Sequence, residues 1–239
     1  MFKSKLKIVT NTLIAIIITI VYIVAFLPSN SITISGNGNF MLYYHGKKQS
    51  DKVSLMFNVY ENTEIVNKII DVLDKNNVKA TFFVGGCWAD DNIKTLNKII
   101  LSGHELGNHG YFHKDHKKIN EEENYAEINN CGKIVNSLTG YKMELFAPPS
   151  GSYSKATLKV AESLGYKTIM WSRDTIDWRD SDKKLIVKRA TLKTEGGDFV
   201  LMHPKQHTLD SLQEIITTLK NKNFVLTTVS ENISSKDKL

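Results

Sequence analysis

From Val53 to Val229 the chain alternates short apolar runs with longer amphipathic stretches, and that alternation leaves few folds open. Seven runs read as strands: Val53–Phe57, Ala80–Val84, Glu105–Asn108, Leu145–Ala147, Thr168–Trp171, Phe199–Met202 and Phe224–Val229. Between them, Thr63–Asn76, Asp91–Leu101, Glu121–Leu138, Ser154–Leu164, Lys183–Thr191 and Leu209–Lys222 read as helices. In the first of these, Ile65, Val66, Ile69, Ile70 and Leu73 share one face at helical spacing. Strands separated by helices run parallel, with the helices packed outside the sheet. A distorted (β/α) barrel of about seven parallel strands and an open doubly wound sheet both satisfy this pattern. The polar residues favour the barrel. Asn58, His109, Pro148, Asp174 and His203 each follow a strand, and in a parallel barrel those strand ends converge on one face.

The first 27 residues differ in character. Lys3, Lys5 and Lys7 precede an apolar run from Ile8 to Leu27, broken only by Thr10, Asn11, Thr12 and Thr19. About 20 helical residues span a bilayer core of ~30 Å. Lysines at the start and none at the end place the N-terminus in the cytoplasm. A cleaved signal peptide has a shorter apolar region and a small-x-small site, and Tyr22–Pro28 offers no such pair. The expectation is a single-pass transmembrane signal anchor over 1–27 and a linker over 28–50 with room for one short strand. An extracytoplasmic domain follows over 51–234. The net charge is +6, three of it from those lysines, which is too small an excess to argue for nucleic acid. Of the two cysteines, Cys131 falls on the apolar stripe of Tyr125, Ile128, Val135 and Leu138 and reads as a small buried hydrophobe rather than half of a bridge with Cys87. Nothing in the sequence speaks to oligomeric state.

His109 and His113 lie four residues apart just after a strand. Neutral imidazoles are common metal ligands, and this spacing aims two of them at one point. His116 joins their face if the segment is helical, although Gly110 lies inside it. His203 ends an apolar strand, where an imidazole suits the protonation of a leaving nitrogen near neutral pH. Asp174 and Asp177 lie three apart beside Trp171 and Trp178. Asp174 is placed to orient a histidine or hold a cation, and Asp177 to cap a turn. Pro148 and Pro149 stiffen a turn that ends at Gly151 and can present a backbone N–H to a substrate oxyanion. For Tyr60, Trp88, Tyr111 and Trp178, core packing is the expectation, with stacking on the ring faces of a ligand as the alternative.

Taken in order, these motifs resemble the polysaccharide deacetylases with a NodB homology domain, carbohydrate esterase family 4, over about residues 50–233. The anchor and short domain look like the sporulation-type, cell-wall members. The resemblance implies a distorted (β/α) barrel, a divalent metal (usually zinc) held by one aspartate and two histidines, a second aspartate as base and a late histidine as acid. The implied reaction removes N-acetyl groups from wall glycans such as peptidoglycan. By this resemblance His109 and His113 are the metal ligands, His203 the acid, Asp174 and Trp178 part of the Asp-x-x-Asp-Trp motif, and Pro148 and Pro149 part of the substrate-binding turn. Two motifs depart from the pattern. Thr-Phe-Asp-Asp-Gly reads Met56-Phe57-Asn58-Val59-Tyr60, so Asn58 holds the base position and Val59 the metal-aspartate position. Arg-Pro-Pro-Tyr-Gly reads Ala147-Pro148-Pro149-Ser150-Gly151. An amide is no general base, and general base catalysis is worth ~10²–10⁴-fold. Asn58 is left to orient water or substrate, and Asp174, Glu61, Glu64 or Asp115 to replace the missing carboxylate. Two functions follow: a membrane-anchored N-deacetylase of wall polysaccharide with a rebuilt site, or a catalytically silent deacetylase fold that binds wall glycan.

Overall fold

A computed structural model of the protein describes Thr19, residues 40–48 and residues 50–234. The expected anchor over 1–27 therefore lies outside the described residues apart from Thr19, and among the described residues no helix is long and apolar enough to cross a membrane.

Among the described residues, nine strands form one sheet. In chain order they are β1 (Leu42–Tyr43), β2 (Lys52–Val59), β3 (Thr81–Val84), β4 (Glu105–Asn108), β5 (Leu145–Phe146), β6 (Lys167–Ile169), β7 (Arg173–Asp174), β8 (Phe199–Met202) and β9 (Val225–Leu226). Their spatial order is β1-β6-β5-β4-β3-β2-β8-β7, with β9 paired to the start of β2. Every strand pair is parallel. The helices are α1 (Thr63–Lys75), α2 (Gly86–Asp91), α3 (Ile93–Leu101), α4 (Glu121–Thr139), α5 (Lys155–Ser163), α6 (Lys183–Thr191), α7 (Gln206–Asn221) and α8 (Val229–Ile233).

The sheet curls into a partial barrel rather than lying open. The chain after β6 changes neighbours: Met170 N–H donates to Tyr43, and two residues later Ser172 N–H donates to Phe199 of β8. His45 bridges Asp198 in antiparallel fashion, tying the segment after β1 to the start of β8. Leu42–Tyr43 are thus the one short strand for which the expected linker had room, and His45 adds a bridge to the start of β8. Two-residue strands such as β1 and β7 carry no periodicity to read, which is why seven strands were expected and nine are found.

Alternation along β2 explains both cores. Val53, Leu55, Phe57 and Val59 face outward onto Val66, Ile69, Ile70 and Leu73 of α1. Ser54, Met56 and Asn58 take the other face. There Met56 joins Phe83, Leu145, Ala147, Ile169, Phe199 and Leu201 inside the curl, and Val229 of α8 closes it from below. A polar layer seals that closed end. Ser54 Oγ donates to the Thr228 carbonyl (3.0 Å), Asn232 Nδ2 donates to Ser54 Oγ (3.0 Å), and Val229 N–H donates to Thr81 Oγ1 (2.9 Å).

His104, 3% exposed, lies under the sheet beside Asp74 (3.6 Å). Burial pulls its pKa from 6.5 to about 4, against the pull of Asp74. The unfolded chain then binds more protons than the folded one between those values, so stability is full above about pH 6.5 and falls as pH drops toward 4. Urea denaturation should show a loss of about 2 kcal/mol from this group between pH 7.5 and 5. Buried His109 and His116 shift in the same direction. An unchanged midpoint at pH 5 would contradict neutral burial of these rings.

Candidate active-site cleft

The open end of the curl holds a cleft of about 410 Å³ lined by residues from the C-terminal ends of the strands. Asn58 comes from β2, His109 and His113 from the loop after β4, Ser150 from the turn after β5, Trp171 from the segment after β6, Asp174 from β7, Leu201 from β8 and His203 from the residue that follows it. The expected residues Asn58, His109, His113, Asp174, Trp178 and His203 therefore border one space.

His109 is 1% exposed, and its Nδ1 lies 2.7 Å from the Ala147 carbonyl oxygen. A carbonyl only accepts, so Nδ1 carries the proton and Nε2 is a bare lone pair. That Nε2 is buried without a partner. Burial first, then neighbouring His113, holds the ring well below the usual histidine pKa and hence neutral. The ring of His113 stands edge-on at 5.0 Å, and the Tyr60 ring lies against it at 4.2 Å. Asn58 is 3% exposed, and its Oδ1 also lacks a partner.

The chain between the histidines is irregular rather than helical. Gly110 takes φ +73°, and a Cβ there would meet Glu127 Oε2 and His116 Nε2 at 3.1 Å each. Buried Glu127 of α4 accepts from Tyr111 N–H (3.0 Å) and Phe112 N–H (2.8 Å) and so pins the loop. His116 consequently does not share a face with His109 and His113. It packs on Phe146 behind the loop, with Nδ1 donating to Asn124 Oδ1 at 2.7 Å. Glu127 escaped the sequence reading, although its signal was there: Asn124, Glu127 and Cys131 fall on one helical face with Ile128. Cys131 is buried and free, its thiol pushed up to about 12 by burial.

The histidine-orienting carboxylate is Asp177, not Asp174. Asp177 is 1% exposed and accepts from His203 N–H (2.7 Å), His203 Nδ1 (2.8 Å) and Thr208 Oγ1 (2.6 Å). Burial opposes its charge, but these hydrogen bonds prevail and hold its carboxyl below the usual range. Nδ1 of His203 is thereby the donor, which leaves Nε2 to the cleft. The loop that delivers Asp177 is strained at Ile176, whose φ of +55° is unusual for a β-branched residue. Asp174 Oδ1 accepts from the Ile176 N–H at 2.7 Å and holds that strained turn.

Pro148 and Pro149 do not line the cleft. Both are buried, and Pro149 packs beneath the turn toward Gly110, so the residue presented is Ser150, at φ +55°. Tyr60 (44% exposed) and Trp178 (56%) form open aromatic walls, contrary to the core-packing expectation. Trp88 is buried as expected and donates to Thr63.

A parallel, curled α/β barrel with imidazoles and an Asp–His couple at its strand ends is the frame of a barrel hydrolase. The chain belongs to the polysaccharide deacetylase family, whose model matches residues 45–169, more than half of its length. It is 36% identical over 188 residues to the uncharacterised protein YlxY of Bacillus subtilis, which covers 79% of this chain but 59% of that protein. To the peptidoglycan-N-acetylglucosamine deacetylase of Bacillus cereus it is 33% identical, over 75% of this chain and 67% of the relative. The crystal structure of a CE4 family pseudoenzyme from Bacillus anthracis superimposes with a TM-score of 0.79 at 33% identity, covering 81% of this chain and 69% of that one. A mutant of that pseudoenzyme with restored enzymatic activity superimposes equally well, at 0.79.

The donor set falls short of a resident divalent metal. His109 Nε2 fits, as a buried lone pair without a partner. Val59 is fully buried in the outer core and offers nothing to the cleft. Of the candidate replacement carboxylates, Glu61 and Asp174 line the cleft, Glu61 paired with Lys205 and Asp174 holding the Ile176 N–H through Oδ1, whereas Glu64 pairs with Lys68 and Asp115 with Ser152 and Lys118 away from it. Among the described residues no group of three or more His, Cys, Asp or Glu gathers around one point, whereas catalytic zinc takes about three protein ligands.

Proposed function

We propose that this chain is a cell-wall protein of the deacetylase family whose cleft binds N-acetylated glycan, with amide hydrolysis weak or lost. One observation carries this reading. Asn58 holds the base position with a buried carbonyl oxygen, and Val59 beside it faces the outer core. The cleft thus keeps an acid and loses its base and third ligand. A similar relative that is a pseudoenzyme supports the reading.

The second reading is a membrane-anchored N-deacetylase. It is favoured by the intact His203–Asp177 couple, since an oriented imidazole is what protonation of a leaving amine needs. That reading requires a divalent metal, zinc by expectation, on His109 and His113. Both readings share the remaining proposals: an anchor over 1–27, a linker that precedes the domain, a position outside the cytoplasm, and peptidoglycan or a related polymer as partner.

Acetate release separates them. The full chain is incubated with N-acetylglucosamine oligomers and with peptidoglycan, with zinc or cobalt added, beside His203→Ala. The expected result is binding of glycan without acetate above the His203→Ala background. Acetate that vanishes with His203→Ala would instead establish the hydrolase.

A further inference from the structure

Beside the cleft lies a second groove of about 300 Å³, lined by Arg173, Asp174, Lys188, Arg189, Lys193 and two leucines, Leu185 and Leu192. Asp174 borders both spaces, so the groove continues the cleft rather than standing apart. Four cations face one carboxylate here, and that carboxylate already accepts from Ile176 N–H.

The two arginines are fixed from behind. Arg173 Nε donates to Asp198 at 2.8 Å, and Arg189 donates to Asp180 (2.7 Å) and to the Thr175 carbonyl (3.0 Å). Held so, each keeps further N–H groups in a set direction, which lowers the ordering cost of gripping an anion. Lys188 and Lys193 are exposed and, among the described residues, have no ion-pair partner. Leu192 is 58% exposed, an apolar surface within the basic wall.

We propose that this groove is an anion-binding subsite that takes a carboxylate on a short aliphatic substituent of the glycan, next to the acetamido sugar in the cleft. The leucines favour that chemistry over a phosphate-rich polymer, whose carbons beside the charge carry oxygen, whereas a lactyl group sets a methyl next to its carboxylate. The proposal rests on the glycan reading of the cleft and adds to it a choice of sugar: one bearing an acid, such as the lactyl ether of N-acetylmuramic acid, over neutral N-acetylglucosamine.

The test compares the full chain with Lys188→Glu/Lys193→Glu by calorimetry. The probes are a neutral N-acetylglucosamine tetramer and a tetrasaccharide alternating N-acetylglucosamine with N-acetylmuramic acid. Wild type should bind the acidic sugar about tenfold tighter at low salt, with the preference shrinking as salt rises. The double variant should lose the preference and keep its affinity for the neutral tetramer. Equal affinity of wild type for both sugars, or a preference unchanged in the variant, overturns the subsite alone. Binding of neither sugar overturns the glycan reading and this proposal with it.

Discussion

Asn58→Asp combined with Val59→Asp should convert a cleft that releases little or no acetate into one that does so by about 10²-fold or more over the parent. The first change returns a group that accepts a proton at neutral pH, at a strand end that faces the cleft. The second places a carboxylate at the same strand end, where it becomes a third ligand beside His109 and His113 once its side chain turns from the outer core into the cleft. It comes at a cost, because Val59 is fully buried against α1. An unpaired carboxylate there destabilises by several kcal/mol unless it turns to the cleft and meets a cation. The double variant should therefore melt below wild type without metal and recover when zinc is added, since a ligand bound only by the folded state stabilises it. Acetate assays and zinc-dependent melting read the two effects separately. A variant that neither hydrolyses nor responds to zinc would show that the site differs from its active relatives by more than these two side chains.

Asp177→Ala should cost about 3–4 kcal/mol, because it strands three donors at once: the His203 N–H, His203 Nδ1 and Thr208 Oγ1. For a domain of this size that is a fall of about 10 °C in Tm. Asp177→Asn keeps the volume and one acceptor and should lose less. The carboxyl is held below its usual pKa, so its contribution is present above about pH 4 and fades as pH falls further. The gap between wild type and Asp177→Ala should accordingly close in acid. A Tm within a degree of wild type at pH 7 would mean that the network around His203 is not what secures this end of the barrel.

Much of this was legible because the signal was local. β4, α6 and β8 have the bounds their apolar patterns imply. His109, His113 and His203 could be grouped because each follows a strand, and parallel strands bring such ends together. What escaped depends on tertiary contact. Asp174 and Asp177 look alike in sequence, and only the turn strained at Ile176 decides which one reaches His203. Pro148 and Pro149 drew attention as a rigid turn, yet rigidity buried them and presented Ser150. Tyr60 stands where the family pattern has glycine, and that it covers His113 follows only from how their loops meet.

The seal at the closed end of the barrel has a consequence in time. Ser54 finds its partners at Thr228 and Asn232, 174 and 178 residues further along. Contacts of such separation form late, after the chain has paid most of its loop-closure entropy. A polypeptide made N-terminus first carries Met56 and Phe83 in an unfinished curl until α8 arrives. Synthesis halted even a few residues before Thr228 yields not a slightly shorter protein but one without a floor, its inner apolar surface open to whatever it meets.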